Sequence, residues 1–332
     1  MAAARFEDLY TERRGSYAKD PGGEEFLERL NEYLRPRELE LYRDVEVEHP
    51  FVFVVGLPRS GTTLLSQVLA YCLDAGYVDN FAARFWLAPV HGIRLARLIA
   101  GDAGGVTFES DYARTRSPHD IHEFGYFWRY WLKKETFADV VHARERESEI
   151  DWAGLRRTLA NVQHELGKAF VAKNMLGAYH LPKLRETLGQ VVYVYVERDP
   201  LDVCVSILDA RRKYYDDPAT WWSYVPVEYP LLKDRDPFEQ IAGQVHYLAR
   251  FYERAFAEVG EEGVVRVTYE RLCRDPASVL AAVQERAENA YGYRIGERQP
   301  PPAEFPLRMH DDRAADKERF AGLLAAFRAE NP

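Results

Sequence analysis

The sequence predicts an α/β fold, a parallel β-sheet flanked by helices on both faces with further helical additions. Three observations predict it. Short, unbroken apolar runs stand at Phe51–Val55 and Val191–Val196, as in strands buried on both faces. Each run is followed by a turn or cap and then by apolar residues at helical spacing. The alternation of strand and helix recurs along the chain, which argues for parallel strands joined by helical crossovers.

Residues 1–50 are polar and predict a helical N-terminal extension, with Phe26, Leu27, Leu30, Leu34, Leu39 and Leu41 supplying its apolar contacts. The first strand, Phe51–Val55, ends at Gly56. Past a glycine-containing turn, Leu64, Leu65, Val68, Leu69, Cys72 and Leu73 repeat at helical spacing. Ala169–Ala172 predicts a second strand and Val191–Val196 a third, after which Asp199 and Pro200 are an N-cap and a first helical residue. Asp236-Pro237-Phe238-Glu239 has the spacing of a capping box. Val264–Thr268 predicts a fourth strand, and Asp275-Pro276 opens the helix after it. Residues 213–235 are rich in Tyr, Trp and Pro with weak periodicity. They read equally as a lid over an acceptor site, with Tyr214, Tyr215, Trp221, Trp222, Tyr224 and Tyr229 as its aromatic face, or as a helical hairpin packed on the domain. No repeat or low-complexity segment interrupts the pattern, so one domain over 1–332 is expected.

The chain has 332 residues, 47% hydrophobic and 29% charged, an ordinary globular composition. A net charge of −9 argues against nucleic acid as a partner, while a small anion needs only local positive charge. Cys72, Cys204 and Cys273 are few, odd in number and far apart, which suits reduced thiols. No apolar signal-peptide core and no membrane-length apolar stretch is present; the nearest, Trp86 to Ala100, is broken by His91, Arg94 and Arg97. A cytoplasmic protein is expected. Nothing in the sequence sets an oligomeric state.

The densest chemical signal is Gly56-Leu57-Pro58-Arg59-Ser60-Gly61-Thr62-Thr63, between a buried strand and a helix. Successive backbone N–H groups there, with the positive end of the helix dipole, make an anion-binding nest. The spacing from Gly56 to Gly61 equals that of the nucleotide-binding P-loop, and Thr63 stands at its hydroxyl position. Thr62 replaces the P-loop lysine, and the cation appears earlier as Arg59. A kinase or NTPase needs that lysine on the β/γ-phosphates, so this rival is disfavoured. A non-catalytic nucleotide-binding protein is the second rival.

The PRSGTT segment after a hydrophobic strand resembles the 5′-phosphosulfate loop of sulfotransferases that use 3′-phosphoadenosine 5′-phosphosulfate (PAPS). The resemblance is to the bacterial and tyrosylprotein-type members, with arginine rather than lysine in the loop. It implies a P-loop NTPase-like three-layer sandwich, with Pro58, Arg59, Ser60, Gly61, Thr62 and Thr63 binding the donor. A second motif of the family, an arginine at a strand end and a serine eight residues on, is matched by Arg198 and Ser206. By resemblance these two hold the 3′-phosphate. Ala172-Lys173-Asn174 is similar to a family segment whose lysine approaches the transferring group, which implies that role for Lys173. Val267-Thr268-Tyr269-Glu270-Arg271-Leu272 resembles a Tyr-Glu-Asp-Leu segment and implies that Tyr269 lies near the adenine. The glycine-rich C-terminal phosphate loop of the cytosolic members is absent, and Arg308 or Arg313 are candidates to replace its contacts.

Sulfuryl transfer is an in-line displacement with charge building on the leaving phosphate, for which Arg59 and Lys173 are suited. No metal is required by this logic, and His119-Asp120-Ile121-His122-Glu123 lacks the spacing of a zinc site. The acceptor hydroxyl or amine needs a general base. His122 is the first candidate and Glu123 the second; the glutamate of tyrosylprotein-type enzymes is not carried over, because Asn80 lies in its neighbourhood. Carbohydrate, lipid, peptide-tyrosine and secondary-metabolite hydroxyls all fit, on small-molecule, glycan, lipid or protein side-chain acceptors.

Overall fold

The computed structural model describes residues 5–6, 12–100, 106–109, 115 and 117–330. Four parallel strands, β1 (Phe51–Gly56), β2 (Phe170–Lys173), β3 (Val191–Glu197) and β4 (Val264–Thr268), form a sheet of order β2-β1-β3-β4. Phe51 stands opposite both Phe170 and Val191, and Tyr193 opposite Val264. In chain order the helices are α1 (Pro21–Leu41), α2 (Thr62–Cys72), α3 (Pro89–Ala100), α4 (Gly125–Leu132), α5 (Phe137–Val141), α6 (Trp152–Leu166) and α7 (Leu181–Leu188). They continue with α8 (Pro200–Tyr215), α9 (Tyr229–Leu232), α10 (Pro237–Val259), α11 (Tyr269–Arg274), α12 (Pro276–Tyr291) and α13 (Ala314–Glu330).

Alternate residues of the strands enter two different cores, as the two-residue period of a strand requires. Phe51, Phe53 and Val55 join Phe170, Tyr193 and Tyr195 in a core closed by α6, α7, α8 and α10. Val52 and Val54 join Val171, Val192, Val194 and Val196 in a second core closed by α2 and α12. Because both faces are covered, β1 and β3 read as continuous apolar runs, whereas β4 is interrupted by the partly exposed Arg266. The helix caps follow the expected chemistry. Asp199 accepts from Leu201 N–H, Asp236 and Glu239 form a capping box, and Asp275 accepts from Ser278 N–H.

The N-terminal extension departs from expectation. In α1, Phe26 and Leu39 are largely exposed, and the fully buried positions are the polar Asn31 and Glu38. Seven residues apart, they lie on one face of the helix. Asn31 donates to the Arg84 carbonyl at 2.7 Å and accepts from Leu87 N–H at 2.8 Å. Glu38 accepts from Val90 N–H at 2.8 Å and His91 N–H at 3.2 Å, placing a carboxylate on the N-terminal turn of α3. The helix is thus docked by hydrogen bonds to a loop and a helix end, with Leu41 packed on the core and Leu27, Leu30 and Leu34 only half-buried. Glu38→Ala is expected to lower the unfolding free energy by about 2–3 kcal/mol, read as a fall in urea midpoint at unchanged slope.

Candidate active site

β1, β2 and β3 all end on the same edge of the sheet, where parallel α/β sheets place ligands. A cavity of about 1000 Å³ opens there. Tyr252, from α10, pins the end of β1: its hydroxyl accepts from Gly56 N–H and donates to the Gly56 carbonyl at 3.1 Å. The loop that follows has left-handed backbone at Arg59 (φ 69°) and Gly61 (φ 106°), the kind of alternation that turns successive N–H groups to one side. At Gly61 only glycine fits, since a Cβ would stand 2.6 Å from the Tyr269 ring. α2 begins at Thr62, so the unpaired N–H groups of its first turn face the cavity, as do Pro58, Arg59, Gly61, Thr62 and Thr63.

Ser60 does not line the cavity. It is fully buried, and both its N–H (3.2 Å) and its hydroxyl (2.8 Å) bond the Leu57 carbonyl, closing the loop from inside. A tight turn needs that internal bond, so the hydroxyl that the sequence offered as a ligand has a structural partner.

Arg198 and Ser206, at the end of β3 and within α8, meet the loop directly. Arg59 Nε donates to Ser206 Oγ at 3.0 Å, and Arg198 donates to the Arg59 carbonyl at 2.8 Å. Arg198 also donates to the Arg308 carbonyl and lies over the Tyr269 ring, 4.4 Å from its centroid. Its buried Nε has no hydrogen-bond partner. Phe305, Pro306, Arg308 and His310 close this end. That C-terminal arm is held by Asp202, fully buried in α8, which accepts from His310 N–H at 2.9 Å and pairs with Lys317 at 2.9 Å. Of the two late arginines, Arg308 lines the cavity, whereas Arg313 is committed to Asp209 (2.7 Å) and Asp316 and does not.

Lys173, at the end of β2, donates to Thr63 Oγ1 at 2.9 Å and pairs with the Glu123 carboxylate. Asn174 fixes the pair, donating to the Glu123 carbonyl at 2.9 Å while accepting from Leu176 N–H at 2.7 Å. His122 is turned differently. Its Nδ1 accepts from Phe124 N–H at 2.8 Å, so the neutral ring carries its proton on Nε2. Burial pushes its pKa down to about 4, against a rise caused by Glu123. Both residues line the cavity. No group of three potential metal ligands occurs among the described residues.

Residues 213–235 supply a wall. Tyr214, Tyr215, Trp222 and Tyr224 line the cavity and are buried, while Trp221 and Tyr229 pack edge-to-face, 4.9 Å apart, behind them. The fully buried Arg211 holds the segment by donating to the Pro218 carbonyl at 3.1 Å and Gln240 Oε1 at 2.6 Å. Gln244 donates to the Trp222 carbonyl at 3.2 Å. Sequence reasoning missed Arg211, Tyr252 and Asp202; a charged or polar residue on the apolar face of a helix is the one signal each carries.

A sulfotransferase from Mycobacterium avium (STF9) shares the fold, with a TM-score of 0.50 and 18% identity over 90% of this chain and 72% of that one. A sulfotransferase from Mycobacterium tuberculosis (STF1) aligns over 89% of this chain and 81% of its own at 17% identity, with a TM-score of 0.48. No curated protein sequence matches the chain. The pattern that defines the Sulfotransferase family matches residues 50–291, well over half the chain and including each motif described above. The chain belongs to the sulfotransferase family.

Proposed function

We propose that the protein moves the sulfuryl group of PAPS to a hydroxyl or amine of a small-molecule, glycan or lipid acceptor in the cytoplasm, releasing adenosine 3′,5′-bisphosphate. The observation that carries this reading is the junction of Arg59, Ser206 and Arg198, which unites the two phosphate motifs in one cavity. The residues fit such a donor. The loop N–H groups and Arg59 receive the 5′ end; Arg198, Ser206 and Arg308 surround a second anionic position, with Tyr269 beside it. A nucleotide lacking the 3′-phosphate leaves that second position unpaired.

The reaction needs a base, and the geometry favours Glu123 over His122, reversing the order given by the sequence. His122 Nδ1 is engaged by a backbone N–H and its Nε2 bears a proton, so the ring can donate but has no free lone pair. Glu123 accepts the acceptor's proton as the acceptor oxygen or nitrogen bonds to sulfur. The bond from sulfur to the 5′-phosphate oxygen breaks, its electron pair leaving on that oxygen, where Lys173 and Arg59 meet the charge. The donor supplies an activated sulfur, and no metal enters the scheme.

Calorimetry tests the reading. Adenosine 3′,5′-bisphosphate is expected to bind roughly 10- to 100-fold more tightly than AMP, the worth of one or two charge-assisted hydrogen bonds, and without divalent cations. Arg198→Ala is expected to erase most of that difference. Equal affinities in the native protein would remove the assignment of Arg198 and Ser206.

A further inference from the structure

Past Glu123 and His122 the cavity continues toward the start of α1 and the turn that precedes α3, where Lys19, Arg84, Trp86 and Tyr126 line it. Trp86 and Tyr126 form an aromatic wall, their ring centroids 4.7 Å apart. Lys19 is 2.7 Å from the Glu24 carboxylate and lies 4.4 Å from the Tyr126 ring centroid. Among the described residues Arg84 pairs with no carboxylate. It sits on an anchored turn: Asn31 holds its carbonyl, and Asp79 accepts from Ala82 N–H at 2.7 Å. Lys19 and Arg84 both act electrostatically on His122 and oppose its protonation. Arg84, Lys19 joined to Glu24 and to the Tyr126 hydroxyl, and His122 with its Nε2–H therefore line one region of the cavity next to the proposed base. The exposed side chain of Arg84, on a backbone turn held in place, beside an aromatic-walled space is best matched by an anion that supplies its hydrogen-bond acceptors.

We propose that the acceptor is itself an anion: a hydroxylated compound with an apolar body against Trp86 and Tyr126 and an acidic group between Arg84 and Lys19. Carboxylate and phosphate-type groups share this chemistry, and the assay separates them. The inference rests on the sulfotransferase reading, whose own failure would show as absent binding of adenosine 3′,5′-bisphosphate.

The test uses matched phenols: para-hydroxyphenylpropionate, its methyl ester, para-hydroxybenzylphosphonate and tyramine. With PAPS as donor, at least one anion is expected to exceed the ester in kcat/KM by about tenfold or more, the scale of one charge-assisted contact. Tyramine is expected to be poorest. Arg84→Gln should bring anion and ester to within about twofold of each other, and Arg84→Glu should turn the preference toward tyramine. Nucleotide affinity of both variants, measured by calorimetry, reports that they are folded. Should none of the phenols turn over, their binding to protein loaded with adenosine 3′,5′-bisphosphate is read instead, and the same order is expected. Intact nucleotide binding with the ester equal to or better than both anions, or an order unmoved by Arg84→Gln, overturns the proposal.

Discussion

Glu123→Gln is expected to lower turnover by roughly 10²–10⁴, the usual span for a lost general base, with nucleotide affinity nearly intact. The amide keeps the shape and can still touch Lys173, but it cannot take a proton. His122→Ala removes a hydrogen-bond donor rather than a base, and a smaller loss is expected. The pH profile separates the two. A histidine base of ordinary pKa would give a rate that rises through about 6.5. Burial holds His122 down at about 4, so its titration contributes no such rise near neutrality. A loss confined to His122→Ala, with Glu123→Gln near normal, would restore the histidine as base. The same depressed pKa has a sign for stability. Below about 6.5 the unfolded chain binds a proton here that the folded chain refuses. The contribution is therefore complete above that pH and is lost as the pH falls through about 4.

Lys173→Ala is expected to cost roughly 10²–10³ in turnover, the loss of one transition-state donor. The mechanism asks two things of this lysine. It is paired with Glu123 and with Thr63, which in the proposed mechanism puts it between the proton acceptor and the leaving group. Its removal should lower kcat more than it raises the KM for PAPS, because its second role exists only as charge builds on the phosphate. Arg59→Ala should instead affect both, since the loop also holds the ground-state donor. Near-normal turnover of Lys173→Ala would make the lysine a structural partner of Glu123.

The sheet was legible because its signals are local. β1 and β3 are continuous apolar runs, β4 is marked by its valines around Arg266, and the structure places all four strands within one residue of the expected ends. Asp199, Asp236 and Asp275 announce their helices by the chemistry of a cap. The loop, Arg198 and Ser206 were equally plain, because each motif is contained in one strand-to-helix passage. The pairing of Glu123 with Lys173 could not be read, since it exists only because the chain returns to lay β2 beside β1. The inward turn of Ser60 depends on which carbonyl the loop closes upon. The burial of Asn31 and Glu38 has the same origin: their partners are backbone groups at Arg84, Leu87 and Val90, and a periodicity of side chains carries no information about them. Arg308 differs from Arg313 only in what the C-terminal arm packs upon.

The strand order has a consequence for how the chain is made. β1 lies between β2 and β3, so both of its hydrogen-bonded edges belong to residues synthesised more than a hundred positions later. At about 5–20 residues per second, Phe51–Val55 waits roughly 6–23 s before Lys173 has been added. Throughout that interval five apolar residues with strong β-propensity, no charge and no proline stand with both edges bare, the profile of a self-associating segment. Nascent chains halted between residues 60 and 170 should therefore be the species that chaperones hold longest, and cooling during expression should raise the yield of folded protein by weakening that early self-association.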